Sequence, residues 1–201
     1  MLKQVQKRLQ NHQPRTLGTA LPEAAVLIPL TDDAEPELIF TRRAAHMNTH
    51  SGEVAFPGGK REPSDQSLVQ TALRESYEEM GLPPEKVTVI GQGGVVISRF
   101  GLKVTPFVGV IAADTPLTAN TAELDRIFSV PLHYFLEEKN LTFRRVNRGN
   151  QTVQLPSFHY GEYVIWGLTA VILVEFLNIT LDAGIELPMS YISKHYWQKH
   201  D

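Results

Sequence analysis

The sequence predicts an α/β fold, a sandwich in which helices cover a mixed β-sheet. Three observations carry that expectation. Short apolar runs bounded by turn residues occupy 24–30, 37–42 and 103–111, helix start and stop signals frame 66–80, and a longer apolar run of helical pattern fills 163–178.

With 201 residues and 42% hydrophobic content, the chain can bury one substantial core. The simplest organisation is a single domain over 1–201, with an N-terminal helical extension at 1–20 and a C-terminal tail at 180–201. Leu2, Val5 and Leu9 recur at helical spacing among Lys and Gln, which predicts a short amphipathic helix ending before Pro14. Residues 24–30 read as a buried strand between Pro22 and Thr31-Asp32-Asp33, and 37–42 as its hairpin partner across an acidic loop. A short strand at 54–56 leads into Pro57-Gly58-Gly59. For the helix at 66–80, Ser64 or Asp65 is the expected N-cap and Gly81 the left-handed stop. Its narrow face of Val69, Ala72, Leu73, Ser76 and Met80 suits packing on a sheet.

Further strands are expected at 86–90, 94–97 and 103–111, with a turn at 98–102 and a loop at 112–121. A short helix at 133–138 and a hairpin over 141–158, turning at 148–151, precede the second main helix at 163–178. Trp166 and Phe176 read as core, and Arg144, Arg145 and Arg148 as solvated strand positions. The tail either docks on the domain or mediates self-association into a homodimer.

Composition excludes several classes. The absence of cysteine removes disulfides, thiolate zinc sites and a cysteine nucleophile. A formal net charge of −3 and the lack of a basic stripe argue against nucleic acid as a partner. No stretch of eighteen apolar residues supports a membrane span, and the basic N-terminus lacks the apolar centre of a secretory signal, so a cytoplasmic location is the default.

The chemistry concentrates in the mid-chain helix. Glu75, Glu78 and Glu79 stand at i, i+3 and i+4, which brings like charges within ~6 Å and destabilises an isolated helix. Glu78 and Glu79 also crowd the negative end of the helix dipole. A positive partner is expected, either Arg74 or bound divalent cations. One guanidinium does not neutralise three carboxylates, whereas Mg²⁺ takes oxygen ligands jointly from carboxylates and substrate phosphates. The alternative is a solvated acidic face. Arg43 offers a guanidinium fork suited to phosphate, or else a structural salt bridge. Gly58 and Gly59 allow a backbone group to approach a metal or phosphate, or else form a tight turn. His50 is either a substrate or loop-ordering contact or a plain surface histidine.

The run Arg74-Glu75-Ser76-Tyr77-Glu78-Glu79-Met80-Gly81-Leu82 resembles the R-E-U-x-E-E-x-G-U half of the Nudix box, where U is a bulky aliphatic residue. The usual spacing, G-x5-E-x7-R-E, would put the glycine at Lys60 and the glutamate at Gln66. This chain has Gly59 and Asp65, one residue earlier each. Such a lengthened box is a feature of the coenzyme A pyrophosphatase branch. That branch's companion signature resembles this chain at Thr41, Arg43, His50, Gly52 and Phe56-Pro57-Gly58-Gly59, with Ala44 and Asn48 as departures. The run 98–111 is similar to the same branch.

The resemblance implies the Nudix fold, an α/β/α sandwich, and hydrolysis of a diphosphate linkage in a nucleotide substrate. It assigns Mg²⁺ or Mn²⁺ to Glu75, Glu78 and Glu79, with Arg74 orienting them. Arg43, His50, Gly58 and Gly59 would contact substrate. Glu123 matches an additional carboxylate before a segment of F-x-V-P-L type, as a further metal ligand or the base, with Asp125 in reserve. A helix-starting acid is the alternative for Glu123. Coenzyme A or an acyl-CoA is the implied substrate. ADP-ribose, a dinucleotide, or a catalytically silent nucleotide-binding module are the competing readings.

Overall fold

The structure, a computed structural model, describes residues 1–18, 20–46, 52–148 and 151–187. Helix α1 (Leu2–Gln10) forms as its apolar spacing predicts, with Val5 and Leu9 buried and most of the polar residues between them exposed. Strands β1 (Glu23–Asp32) and β2 (Glu37–Arg43) run antiparallel and meet at Leu30↔Leu38. Short β3 (Val54–Ala55) and β4 (Gly58–Lys60) lead into helix α2 (Leu68–Met80). Then come β5 (Thr88–Gln92), β6 (Val96–Ile97), β7 (Lys103–Ala112) and β8 (Leu124–Pro131). Strands β9 (Leu141–Arg148), β10 (Gln151–Tyr160) and β11 (Tyr163–Trp166) precede helix α3 (Gly167–Leu181).

The main sheet has the order β3-β2-β1-β7-β5, with β4 on β1, β6 on β7 and β8 on β2. Among the described residues only β1 and β7 pair in parallel, from Glu23↔Lys103 to Asp32↔Ala112, and the other ladders are antiparallel, so the sheet is mixed as expected. Because side chains alternate along a strand, β1 serves two cores. Ala25 and Leu27, with Ile39, Phe107 and Ile111, meet Ala72, Met80 and Leu82 on the α2 side. Ala24, Ile28 and Leu30, with Phe40, Val104 and Val108, meet Val5, Leu9 and the apolar residues of α3 on the other. Helices therefore lie on both faces, and β9-β10-β11 form a second sheet beside α3.

Several local expectations are corrected. Helix α2 starts two residues late, because Ser67 is the N-cap: its backbone is extended and its Oγ accepts the Gln70 N–H at 3.2 Å. The stop at Gly81 is left-handed, φ 64°, as expected. Lys86 belongs to a 3-10 turn, and the strand begins at Thr88. The helix expected at 133–138 is a pair of 3-10 turns, Leu132–Leu136 and Glu138–Asn140. Residues 163–166 are strand, since a turn at Gly161 returns the chain along β10 with Tyr160↔Tyr163 to Ser157↔Trp166 in register. Trp166 is consequently only half-buried, with the Arg144 guanidinium 4.9 Å from its ring centroid, while Phe176 is core. Residues 149–150 of the hairpin turn, and 188–201 of the tail, lie outside the described residues, and with them the choice between docking and self-association. Among the described residues no helix is long and apolar enough to cross a membrane.

Candidate active site

On an α-helix Glu79 lies about 40° from Glu75 and about 20° from Ala72, whereas Glu78 shares a stripe with Arg74. The burial follows that geometry. Ala72 is fully buried and Glu79 is 6% exposed, so Glu79 faces the sheet with the core rather than sharing one solvent face with the other two glutamates. The Glu78 side chain is 52% exposed, and that of Glu75, between them, 18%.

Arg74 reaches two of the three. Its Nη1 lies 3.1 Å from Glu75 Oε1 and donates to Glu78 Oε2 at 3.0 Å. Its Nε and Nη2 grip Asp65 at 3.0 and 3.1 Å, and Nη2 also donates to the Lys60 carbonyl. The Asp65 carboxylate, expected as an N-cap, is instead buried under the box and also accepts from the Glu62 N–H and the Thr71 hydroxyl. The Arg74 guanidinium holds the Asp65 pKa down to about 2, against the opposing effect of burial.

Glu79 is left without a cation of this kind. Its Oε2 is buried with no hydrogen-bond partner among the described residues. Burial, then the charge of Glu75 and less that of Glu123, push its pKa up to about 8; the Gly58 amide and, less, the Arg43 charge pull the other way. Burial likewise raises Glu75, opposed by Arg74.

The glycine pair is fitted to this arrangement. Pairing of Ala25↔Gly59 and Val26↔Gly58 presses β4 against β1 beneath α2. A Cβ on Gly58 would overlap the Ala25 carbonyl and the Val26 backbone, and one on Gly59 would overlap the Glu75 carboxyl group. The approach of Glu75 to bare backbone thus depends on Gly59. Gly59→Ala is expected to displace that carboxylate and lower kcat by ~10-fold or more, with a far-ultraviolet circular dichroism spectrum unchanged. An unaltered kcat would show that Glu75 needs no such approach.

Arg43 closes the site from the end of β2. Between Arg42↔Arg126 and Arg43↔Leu124 the register with β8 shifts, leaving Asp125 as the extra residue of a bulge, a device that re-aims neighbouring side chains. Arg42 is thereby taken up by Asp125 at 2.8 Å and Glu162 at 2.9 Å. Arg43 makes no ion pair among the described residues, and its Nε is buried and unpartnered. Asp125, committed to Arg42, is not the open carboxylate of the pair it forms with Glu123. Glu123 itself occupies a turn that leads into strand β8, which removes the helix-starting alternative.

Glu75 and Glu79 therefore meet the glycine pair, Glu123 and Arg43 lie near enough for their charges to act on Glu79, and Glu78 stays outside, tied to Arg74. Among the described residues no three Asp, Glu or His side chains come together closely enough to hold a metal ion by themselves. His50 lies outside the described residues. Asp65 as the buried partner of Arg74 was missed from sequence. Its signal is the acid displaced by one residue from the usual box position, which the sequence also offers as a cap.

A NUDIX domain model matches residues 21–146. Over 160 residues the chain is 41% identical to an uncharacterized Nudix hydrolase NudL of Photorhabdus laumondii, covering 80% of this chain and 86% of that protein. The NudL protein of Yersinia enterocolitica, also described as an uncharacterized Nudix hydrolase, is 39% identical over 166 residues, 83% of this chain and 85% of its own. Among solved structures, a MutT/nudix family protein from Enterococcus faecalis superposes with a TM-score of 0.53 at 16% identity, covering 90% of this chain and 70% of that one, a likeness of fold.

Proposed function

The chain belongs to the NUDIX domain family and is a Nudix hydrolase, and from that premise we propose that it hydrolyses the diphosphate linkage of a nucleoside diphosphate derivative. The observation that carries the reading is Glu79: a buried carboxylate beside Gly58 whose Oε2 has no hydrogen-bond partner among the described residues, and which burial and the charges of Glu75 and Glu123 disfavour as an anion despite the charge of Arg43. An oxygen-only donor set of carboxylates suits a hard cation, Mg²⁺ or Mn²⁺, shared with substrate phosphates. Glu75 and Glu79 would hold it, and Glu78, the third glutamate of the expected set, would join them only on leaving Arg74. When bound, such a cation offsets phosphate charge and polarises water and phosphoryl oxygens.

The remaining roles fall to this chain's own groups. Arg43, without a carboxylate partner among the described residues, fits the diphosphate oxygens with its guanidinium fork. Arg74 fixes Glu75 and Glu78 through charge-assisted hydrogen bonds while anchored on Asp65. Glu75 or Glu123 accepts the proton of the attacking water. The new P–O bond forms in line with the anhydride P–O bond that breaks, and the departing phosphate carries away that electron pair.

Within this chemistry the substrate is coenzyme A or an acyl-CoA, cleaved to 3′,5′-ADP and 4′-phosphopantetheine or its acyl derivative. Support comes from the lengthened box and from Thr41, Arg43, His50, Gly52 and Phe56-Pro57-Gly58-Gly59. The test is a panel of coenzyme A, acyl-CoA, ADP-ribose and NADH with Mn²⁺, products identified by mass, each repeated in excess chelator. Coenzyme A cleavage that stops on chelation is expected. Faster turnover of ADP-ribose or NADH would overturn the substrate. Nucleotide binding without any turnover would overturn the enzyme reading in favour of a silent binding module.

A further inference from the structure

The last turn of α2 ends in carbonyls that need donors from outside the helix. Gly81 and Leu82 supply two, bonding Tyr77 and Ser76, and two more come from a distant segment: the Thr118 N–H donates to Met80 O at 3.0 Å and the Asn120 N–H to Glu79 O at 2.8 Å. That segment then folds into the turn bearing Glu123. The Glu123 and Leu124 N–H groups both donate to Asn120 O, at 2.9 and 2.8 Å, and the Asn120 side chain closes an Asx turn by accepting the Ala122 N–H on Oδ1 at 3.2 Å. Two bonds hold the far side, His46 Nε2 with Ala122 O at 3.0 Å and Ala44 N–H to Glu123 O at 2.8 Å.

Asn120 is thus the junction between the residue carrying the buried Glu79 and the turn carrying Glu123. Its backbone bonds would survive in any residue, but the Asx turn belongs to the side chain alone. Ala122 is exposed, so without Oδ1 its N–H passes to water and the turn loses its one internal side-chain tie. We propose that Asn120 is a positioning residue that fixes Glu123 against the end of α2, a role that rests on the reading of the site given above. It touches no reacting atom and acts through the 120–123 turn. Arg43 pairs with Leu124 next to the turn, but its backbone is also held from the other side, its N–H donating to Glu53 O at 3.0 Å and its carbonyl accepting from the Gly52 N–H at 3.1 Å, so the substrate-binding side keeps supports that do not pass through the Asn120 side chain.

The consequence is a selective defect. Asn120→Ala is expected to lower kcat ~10-fold with KM for the nucleotide unchanged within about twofold, as for other groups that orient an acting residue. Asn120→Ser, whose hydroxyl can close the equivalent turn without adding charge, is expected to restore most of kcat. Hydrogen exchange gives a readout independent of turnover. In Asn120→Ala the amides of 122–124 should exchange faster while those of β1 and β7 do not change, and in Asn120→Ser protection should return. An Asn120→Ala enzyme with wild-type kcat, or with unaltered exchange over 122–124, would overturn the proposal. So would a loss of kcat that serine fails to rescue and that accompanies faster exchange throughout the sheet, since that is the mark of general destabilisation. A wild-type protein that turns over no diphosphate substrate would instead remove the reading of the site on which the proposal stands.

Discussion

Glu79→Gln is expected to lower kcat by ~10²-fold or more while leaving the protein folded and, without divalent cations, somewhat more stable than the wild type. The two effects share one cause. A buried carboxylate whose Oε2 has no partner penalises the folded state whenever it is ionised. Its pKa rises from 4.5 to about 8, so the proton is held more tightly in the native chain than in the unfolded one. The penalty is therefore absent below pH 4.5, grows as pH rises through that value, and is complete above about 8. It is on the order of several kcal/mol at the upper end. Glutamine escapes it at every pH but leaves an unpaired amide costing ~1–3 kcal/mol. Metal-free Glu79→Gln should then melt a few degrees above wild type at pH 8, with the gap closing and reversing toward pH 4.5. Adding Mn²⁺ at ~100 times its Kd should stabilise wild type by about 2.7 kcal/mol and the variant far less. Near wild-type turnover by the variant, or an equal response to Mn²⁺, would remove Glu79 from the site.

That trade of stability for function was half visible in the primary structure. Three glutamates at 75, 78 and 79 advertise a need for positive charge whatever the fold around them. Which of them is buried could also have been read, because Glu79 follows Ala72 by seven residues and so lies on the stripe that Ala72 presents to the sheet. Grouping the three as one outward face hid this. Other features depend on partners remote in the chain. Arg42 and Arg43 look interchangeable until the register with β8, some eighty residues later, slips and leaves Asp125 to Arg42, which Glu162 also pairs, while Arg43 has no carboxylate partner among the described residues. The strand at Tyr163–Trp166 was absorbed into a helix because an apolar run reads alike in both states, and its pairing with β10 decides. The continuous apolar runs of β1 and β7 do show in the sequence, and such runs mark strands covered on both faces, but their parallel pairing is set by the order of strands in the sheet.

Asp65→Asn is the second large effect expected, and it falls on stability first. The Asp65 side chain is 1% exposed, bonded to Arg74 by both oxygens, and it organises the approach to α2 through the Glu62 N–H and the Thr71 hydroxyl. Its pKa is depressed from 3.8 to about 2, so the stabilisation is fully present above 3.8 and is lost as pH falls through about 2. Removing the charge leaves the largely buried Arg74 without its main partner, a change that costs roughly 3 kcal/mol and lowers Tm by about 10 °C in a chain of this size. The difference between wild type and variant should hold constant from pH 7 to about 5 and shrink steadily between 3.8 and 2, provided the fold survives there. Activity should follow, because Arg74 released from Asp65 can collapse onto Glu75 and Glu78, the carboxylates it otherwise holds at 3.1 and 3.0 Å from a fixed base. Asp65→Glu is not expected to rescue, although glutamate is the usual residue of the box. The acid here sits one position earlier and already bonds Arg74 through both oxygens, and a longer side chain would have to fold back within a pocket already filled by Thr71 and the Glu62 amide. Equal melting temperatures for Asp65→Asn and wild type at pH 7 would show that Arg74 is held by the helix glutamates alone, and with that the anchoring role assigned to Asp65 would fail.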